Sequence, residues 1–202
     1  MTATIKAIDT RYAGHLFRSR LEARWAVFFD HLQLRWEYEP EGYELPDGTR
    51  YLPDFRLTNP SGSQRWVEVK PAHITSDPKF TSFWLALHPD GVCNDTTDAA
   101  MVSGSPLEWL QAGNSICPRC GMPHGTRFAN GVTEFLCDPC DWETPCGGGH
   151  SPEATGIRGI AWKPHKGWIE LDCVEADRFA RILLTAAVTA QEARFEHGER
   201  PS

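Results

Sequence analysis

Two short runs constrain this chain more than anything else in it: Tyr51-Leu-Pro-Asp-Phe-Arg-Leu57 and Arg65-Trp-Val-Glu-Val-Lys-Pro71. Both predict β-strands. In the first, Tyr51, Pro53, Phe55 and Leu57 alternate with Leu52, Asp54 and Arg56; in the second, Val67 and Val69 alternate with Trp66, Glu68 and Lys70. A period of two sets Glu68 and Lys70 on one face of their strand. Asp54 falls near the middle of a strand otherwise suited to burial, where an acid is costly unless it is paired, protonated or bound to a metal. Two acids and a lysine on adjacent strands supply the oxygen-rich, partly charge-balanced surroundings that a hard divalent cation needs.

The flanking segments predict the elements around these strands. From about Leu16 to Leu32 the apolar residues Phe17, Leu21, Trp25, Phe28 and Leu32 keep a helical period. Glu22 lies at the edge of that stripe, facing either the strand acids or, on the plainer reading, Arg18 four residues before it. Trp36-Glu-Tyr-Glu39 predicts a further strand within Leu34 to Leu45, turned back at Pro46-Asp-Gly48 into the Asp54 strand. Glu37, Glu39, Glu41 and Glu44 read as a solvated acidic face. Thr58-Asn-Pro-Ser-Gly-Ser63 connects to the Glu68 strand, which Pro71 ends. Ser76-Asp77-Pro78 opens a helix with a capping side chain and proline in its first turn, and Phe80, Phe83, Trp84 and Leu87 form its apolar face. A short strand follows around Ala99-Ala-Met-Val102, closed by Gly104-Ser-Pro106. Helix, three-strand meander, helix and strand, in that order, predict an α/β sandwich.

Pro53-Asp54 followed by Glu68-Val69-Lys70 resembles the signature of the PD-(D/E)XK nuclease superfamily. Phe17-Arg-Ser-Arg-Leu-Glu-Ala-Arg-Trp-Ala-Val-Phe-Phe29 resembles that superfamily's first helix, with Glu22 in the place of its helical acid. The resemblance covers residues 11 to about 105 and stops short of the cysteine-rich part. It implies a restriction-endonuclease-like core and Mg²⁺- or Mn²⁺-dependent hydrolysis of DNA phosphodiester bonds, in defence, repair, recombination or phage DNA processing. On that reading Asp54 and Glu68 hold the Mg²⁺, while Glu22 completes its shell, reaches a second ion or orients a water. Lys70 stabilises developing charge or positions the attacking water. Arg18, Arg20 and Arg24 are candidate phosphate contacts, with a solvated helix face as the alternative. Cutting both strands often calls for two active sites, which brings a homodimer into consideration. Two other readings stay open. One is a non-catalytic nucleic-acid-binding protein on a nuclease-like fold. The other is a zinc-organised interaction protein whose Asp, Glu and Lys form a structural salt-bridge network.

Cys117-Pro-Arg-Cys120-Gly121 and Cys137-Asp-Pro-Cys140 are separated by sixteen residues, a spacing suited to a tetrahedral, ribbon-like Zn²⁺ site. Each pair can grip one ion from a single tight turn, and Phe128 and Phe135 are too few for a core without metal. The rival is a redox-active Cys-x-x-Cys pair. Cys146 and His150, on either side of Gly147-Gly-Gly149, are further ligand candidates. Seven cysteines without a secretory signal favour metal ligation over disulfides. Met1-Thr-Ala-Thr-Ile-Lys6 lacks an apolar leader core, and no apolar run is long enough to cross a membrane, so the chain is expected in the cytoplasm. The net charge of −7 argues against a general nucleic-acid coat but not against a nuclease, since acids gathered for a cation lower it. Four segments are expected: an N-terminal arm over 1–15, the core over 16–110, the ribbon-like module over 111–150, and 151–202. The last segment carries a hairpin, Ile160-Ala-Trp162 with Trp168-Ile-Glu-Leu171, and a long helix from about Val174 to Phe195. Its stripe of Phe179, Leu183, Ala186, Ala190 and Ala193 is expected to pack on the core.

Overall fold

The computed structural model describes residues 9–58, 62, 64–88, 99–112, 114 and 181–195 in full. It describes the backbone alone of 97–98, 126–129, 132–137, 142–144, 160–163, 167–170 and 173–180. The chain is a mixed α/β protein, and no helix among the described residues is long and apolar enough to cross a membrane.

Part of the expected N-terminal arm is a hairpin instead. Strands β1 (Thr10–Tyr12) and β2 (His15–Phe17) pair antiparallel through a two-residue turn. Ala13 and Gly14 both take positive φ there, +47° and +84°. That is the backbone of a tight hairpin turn whose twist matches its strands. The helical period beginning at Leu16 therefore starts too early. Ser19 caps helix α1 (Arg20–His31) by accepting the Glu22 N–H at 3.1 Å, which satisfies one of the orphan donors of the first turn. Ala23, Trp25, Ala26, Val27, Phe28 and Phe29 are its buried face. The helix closes with Gln33 in the left-handed region at φ +56°, the Gln33 N–H bonding Asp30 O and the Leu34 N–H bonding Phe29 O. These two bonds are the Schellman closure, made here without glycine.

The main sheet has the order β3 (Arg35–Tyr38), β6 (Phe55–Thr58), β7 (Gln64–Lys70), β8 (Thr97–Ser103). The first three strands form an antiparallel meander, and β8 joins β7 in parallel after a crossover through helix α2 (Pro78–Leu87). Between β3 and β6 the chain leaves the sheet to form a small hairpin of β4 (Tyr43–Glu44) and β5 (Arg50–Tyr51), turned at Pro46-Asp-Gly48. The single strands expected over 34–45 and 51–57 are thus each broken. Glu39, at φ +45°, ends the first. Leu52-Pro53-Asp54 interrupts the second, where Pro53 has no N–H to give a ladder. Asp54 lies in that break, one residue before β6, and not in mid-strand.

Alternation along β7 serves two layers. Val67 and Val69 join Phe55, Leu57 and Val102 against α1, helix α3 (Pro106–Gln111) and helix α4 (Cys173–Glu192). Trp66 turns the other way, into a cluster with Leu45, Tyr51, Ala99 and the one buried residue of α2, Phe83. Asp77 caps α2 and Pro78 opens it, as the sequence predicts. Gly104 ends β8 at φ +79°, its N–H donating to Lys70 O at 2.8 Å. A Cβ there would press on Ala72 and Glu108 at 3.2 and 3.3 Å, so only glycine suits the turn. Ser105, expected only to close the strand, makes a full capping box with Glu108 and starts α3. Leu183, Ala186, Ala187 and Ala190 carry α4 into the core beside α1, matching the described part of its predicted stripe.

Strands β9 (Thr126–Ala129), β10 (Val132–Cys137) and β11 (Trp142–Thr144) form an antiparallel sheet of their own. β12 (Ile160–Lys163) and β13 (Gly167–Glu170) make the expected hairpin. Cys137 ends β10; Cys117, Cys120, Cys140, Cys146 and His150 lie outside the described residues.

Candidate functional site

Local structure on α1, β7 and the break before β6 brings the four predicted polar residues to one end of the sheet. Asp54 is 3 % exposed, Glu68 6 % and Glu22 8 %. Asp54 is locked from two sides. Its carbonyl accepts the Glu39 N–H at 2.9 Å, and its Oδ2 accepts the Val69 N–H at 2.8 Å. A carboxylate taking a main-chain bond from a central strand cannot swing away without cost to the sheet. Its Oδ1 accepts from Arg18 Nη2 at 3.0 Å.

Glu68 and Lys70 share a face of β7, as their spacing requires, with Lys70 Nζ 2.7 Å from Glu68 Oε1. The other Glu68 oxygen accepts the Tyr51 hydroxyl at 2.7 Å. Lys70 Nζ also lies 2.7 Å from Asp77 Oδ2, so the residue that caps α2 holds the lysine too. Glu22 is the third residue of α1. Its Oε1 accepts the Ser19 hydroxyl at 2.7 Å, and its Oε2 accepts the Tyr38 hydroxyl at 2.6 Å and the Arg18 N–H at 3.1 Å. The plainer alternative, a Glu22–Arg18 side-chain pair, does not form. Arg18 spends its guanidinium on Asp54 and on Glu39, the latter at 2.6 Å. Glu39 therefore leaves the solvated acidic face and becomes part of the site.

The electrostatics follow from this crowding. Burial raises the Asp54 carboxyl to about 8; the charges of Glu68 and Glu22 add to the effect, and the Val69 N–H and Arg18 oppose it. Burial works against the Lys70 ammonium, but Asp77 and Glu68 outweigh it and raise its pKa. Burial also resists ionisation of Asp77, yet Lys70 and the Lys79 N–H hold its carboxyl below the ordinary range. Burial and the neighbouring acids keep the Tyr51 and Tyr38 hydroxyls protonated, so both act as donors.

The remaining arginines stand apart. Arg20 is exposed on the first turn of α1. Arg24 is half-buried near Glu108, whose carboxyl is held down first by the Ser105 N–H and hydroxyl and then by the Arg24 charge. Tyr38, Tyr51, Asp77, Ser19 and Glu39 are site residues that no motif or spacing in the sequence marks. Tyr38 belongs to the same Trp-Glu-Tyr-Glu run as Glu39, and the sequence shows Asp77 only as a helix cap. Among the described residues no three Asp, Glu, His or Cys side chains already converge on one point to cage a metal. Each of the three buried acids is instead turned onto a cation or a hydroxyl. Comparison with protein-family models, with curated proteins and with solved structures gives no match to this chain.

Proposed function

We propose that this chain is a Mg²⁺-dependent deoxyribonuclease with a restriction-endonuclease-like core and a structural Zn²⁺ module. The observation that carries the reading is the buried trio Asp54, Glu68 and Glu22, gathered with Lys70 at one end of the sheet. Buried acids that raise one another's cost are uncommon without a use for their charge.

The donor set fits a hard divalent ion, since every buried donor here is a carboxylate oxygen. Asp54 and Glu68 would hold it, with Glu22 completing the shell or orienting a water. When bound, Mg²⁺ would polarise the phosphodiester and lower the pKa of a coordinated water. The protein's own residues do the rest. The Val69 N–H fixes the carboxylate plane of Asp54, and the Tyr51 hydroxyl fixes that of Glu68. Lys70, held by Glu68 and Asp77, keeps its proton and presents a compact positive charge to the attacking water or the developing phosphorane. Arg18, two residues before α1, and Arg20, on its exposed first turn, would meet phosphate oxygens; Arg24, near Glu108, has the weaker case. Cys117, Cys120, Cys137 and Cys140 would hold the Zn²⁺. DNA is the partner this chemistry serves, with a cytoplasmic setting.

Supercoiled plasmid incubated with the protein and Mg²⁺ or Mn²⁺ tests the reading. Nicking or linearisation by wild type and none by Asp54→Asn is expected. Equal cleavage by both proteins, or by neither, rejects it. One set of observations favours a second reading. Arg18 on Asp54, and Lys70 between Glu68 and Asp77, already neutralise the acids as a structural salt-bridge network would. That reading, a non-catalytic nucleic-acid-binding or interaction protein, predicts loss of fold rather than of chemistry when a partner is removed.

A further inference from the structure

We propose that Arg18 is a displaceable counter-ion: its guanidinium holds the outward oxygen of Asp54 until a divalent cation takes that oxygen, and then turns to the DNA phosphate. This rests on the nuclease reading above. The two oxygens of Asp54 have different standing. Oδ2 is committed to the Val69 N–H of the central strand β7, while Oδ1 faces Arg18 Nη2 at 3.0 Å. A cation that binds Asp54 through Oδ1 therefore meets a guanidinium already on that oxygen, and the two positive charges repel and compete for it.

The two cations of the site are held differently. Lys70 is 23 % exposed and lies between Glu68 and Asp77, each at 2.7 Å. The Arg18 side chain is 59 % exposed and its guanidinium meets Asp54 and Glu39 from the solvent side, while its main chain is pinned by the N–H reaching Glu22 Oε2 and the Tyr38 hydroxyl at 3.1 Å each. Its guanidinium can leave Asp54 without breaking a buried bond of the fold. Glu39, 2.6 Å from the same Nη2, offers a second anchor that keeps the freed arginine beside the site. A planar, multi-donor cation released at that point is suited to a phosphate oxygen. Metal and DNA then help one another, because each draws Arg18 in the same direction, and such coupling is reciprocal.

Mn²⁺ binding to the purified 202-residue chain tests this, read by the electron spin resonance of free Mn²⁺ at pH 8.5 without DNA. Arg18→Ala is expected to bind Mn²⁺ about tenfold more tightly than wild type, while Arg18→Lys, which keeps the charge, stays near wild type. A second arm measures affinity for a short DNA duplex with and without Ca²⁺. Arg18→Ala should lose more affinity in the presence of Ca²⁺ than in its absence. Equal Mn²⁺ affinity in wild type and Arg18→Ala overturns the counter-ion role while leaving the metal site standing. An equal loss of DNA affinity with and without Ca²⁺ makes Arg18 a constant phosphate contact and overturns the displacement. If neither protein binds Mn²⁺ saturably, the metal reading falls and this inference with it.

Discussion

Among the described carboxyls Asp54 is the one whose ionisation burial and neighbouring acids oppose, and its pH dependence can be worked out with sign. Its carboxyl titrates at about 8 in the folded chain and about 4 in an unfolded one. Between those values the folded protein keeps a proton that the unfolded protein has lost. Stability without added divalent cation should therefore fall as pH rises from about 4 to about 8 and then level off. Asp54→Asn mimics the protonated acid and keeps an oxygen for the Val69 N–H, so it escapes that fall. Urea denaturation should find it more stable than wild type at pH 8, with the gap closing toward pH 4. A gap of constant size would show that the penalty is not one of ionisation. Lys70 separates the two readings of the site. Lys70→Ala should stop cleavage, leave Mn²⁺ binding intact or tighter, and cost less than about 2 kcal/mol, since a partly exposed pair contributes modestly. The salt-bridge reading requires a loss of about 3–5 kcal/mol instead. Lys70→Arg should not restore cleavage, because a planar fork does not replace a compact ammonium beside the cation. Plasmid cleavage and urea midpoints on the same variants decide between the two.

The start and end of α1 show how local chemistry sets the site. Ser19 caps the helix and also bonds Glu22, so the turn that begins the helix is the turn that orients the acid. At the other end, Gln33 holds a backbone conformation that costs a side-chain-bearing residue about 1 kcal/mol. Gln33→Gly should relieve that strain and lose part of the gain to unfolded-chain entropy, for a net rise of a few tenths of a kcal/mol up to about 1. A thermal melt that shows a lower midpoint would contradict the assignment. The sequence made α1, β7, α2, α4 and the β12–β13 hairpin legible because period and capping agree there: Val67 and Val69 against Glu68 and Lys70, Asp77 before Pro78, Leu183 with Ala186 and Ala190. It misplaced what depends on backbone torsion. Nothing in the alternation around Asp54 shows that Leu52-Pro53-Asp54 breaks the strand and that Tyr51 belongs to a separate hairpin, and a positive φ at Ala13 or Glu39 has no strong residue signature. Asp54, Glu68 and Lys70 can be named from the alternation in their two runs, and Glu22 from the resemblance of its helix to the superfamily's first. Their partners cannot: Tyr51 and Tyr38 reach the acids through tertiary packing, and Glu39 joins the site only because its strand ends there.

Chain order and spatial order diverge in a way that makes one perturbation informative for the whole protein. The core is closed at its far end by α4, whose Leu183, Ala186, Ala187 and Ala190 are buried with α1 residues although some 150 residues of sequence separate them. Between lies the cysteine-bearing segment, where, among the described residues, β9, β10 and β11 pair only with one another. If Cys117, Cys120, Cys137 and Cys140 hold a Zn²⁺, that metal supplies folding energy to a segment with few apolar residues of its own. Purified protein should then carry about one zinc per chain by elemental analysis. Cys117→Ser should lose it, and protease should enter residues 115–150 while the core keeps its resistance, because the core's contacts run through α1, α3 and α4. Ala187→Asp should do the opposite. A charge at a position with no exposure, packed in the core, has no partner to offset its desolvation and should unfold the sheet and its helices. Limited proteolysis with mass mapping on these two variants reads both outcomes. Metal-free wild-type protein with a protease-resistant 115–150 segment would remove the zinc module, and a Cys117→Ser variant whose core also opens would mean that the two parts fold as one.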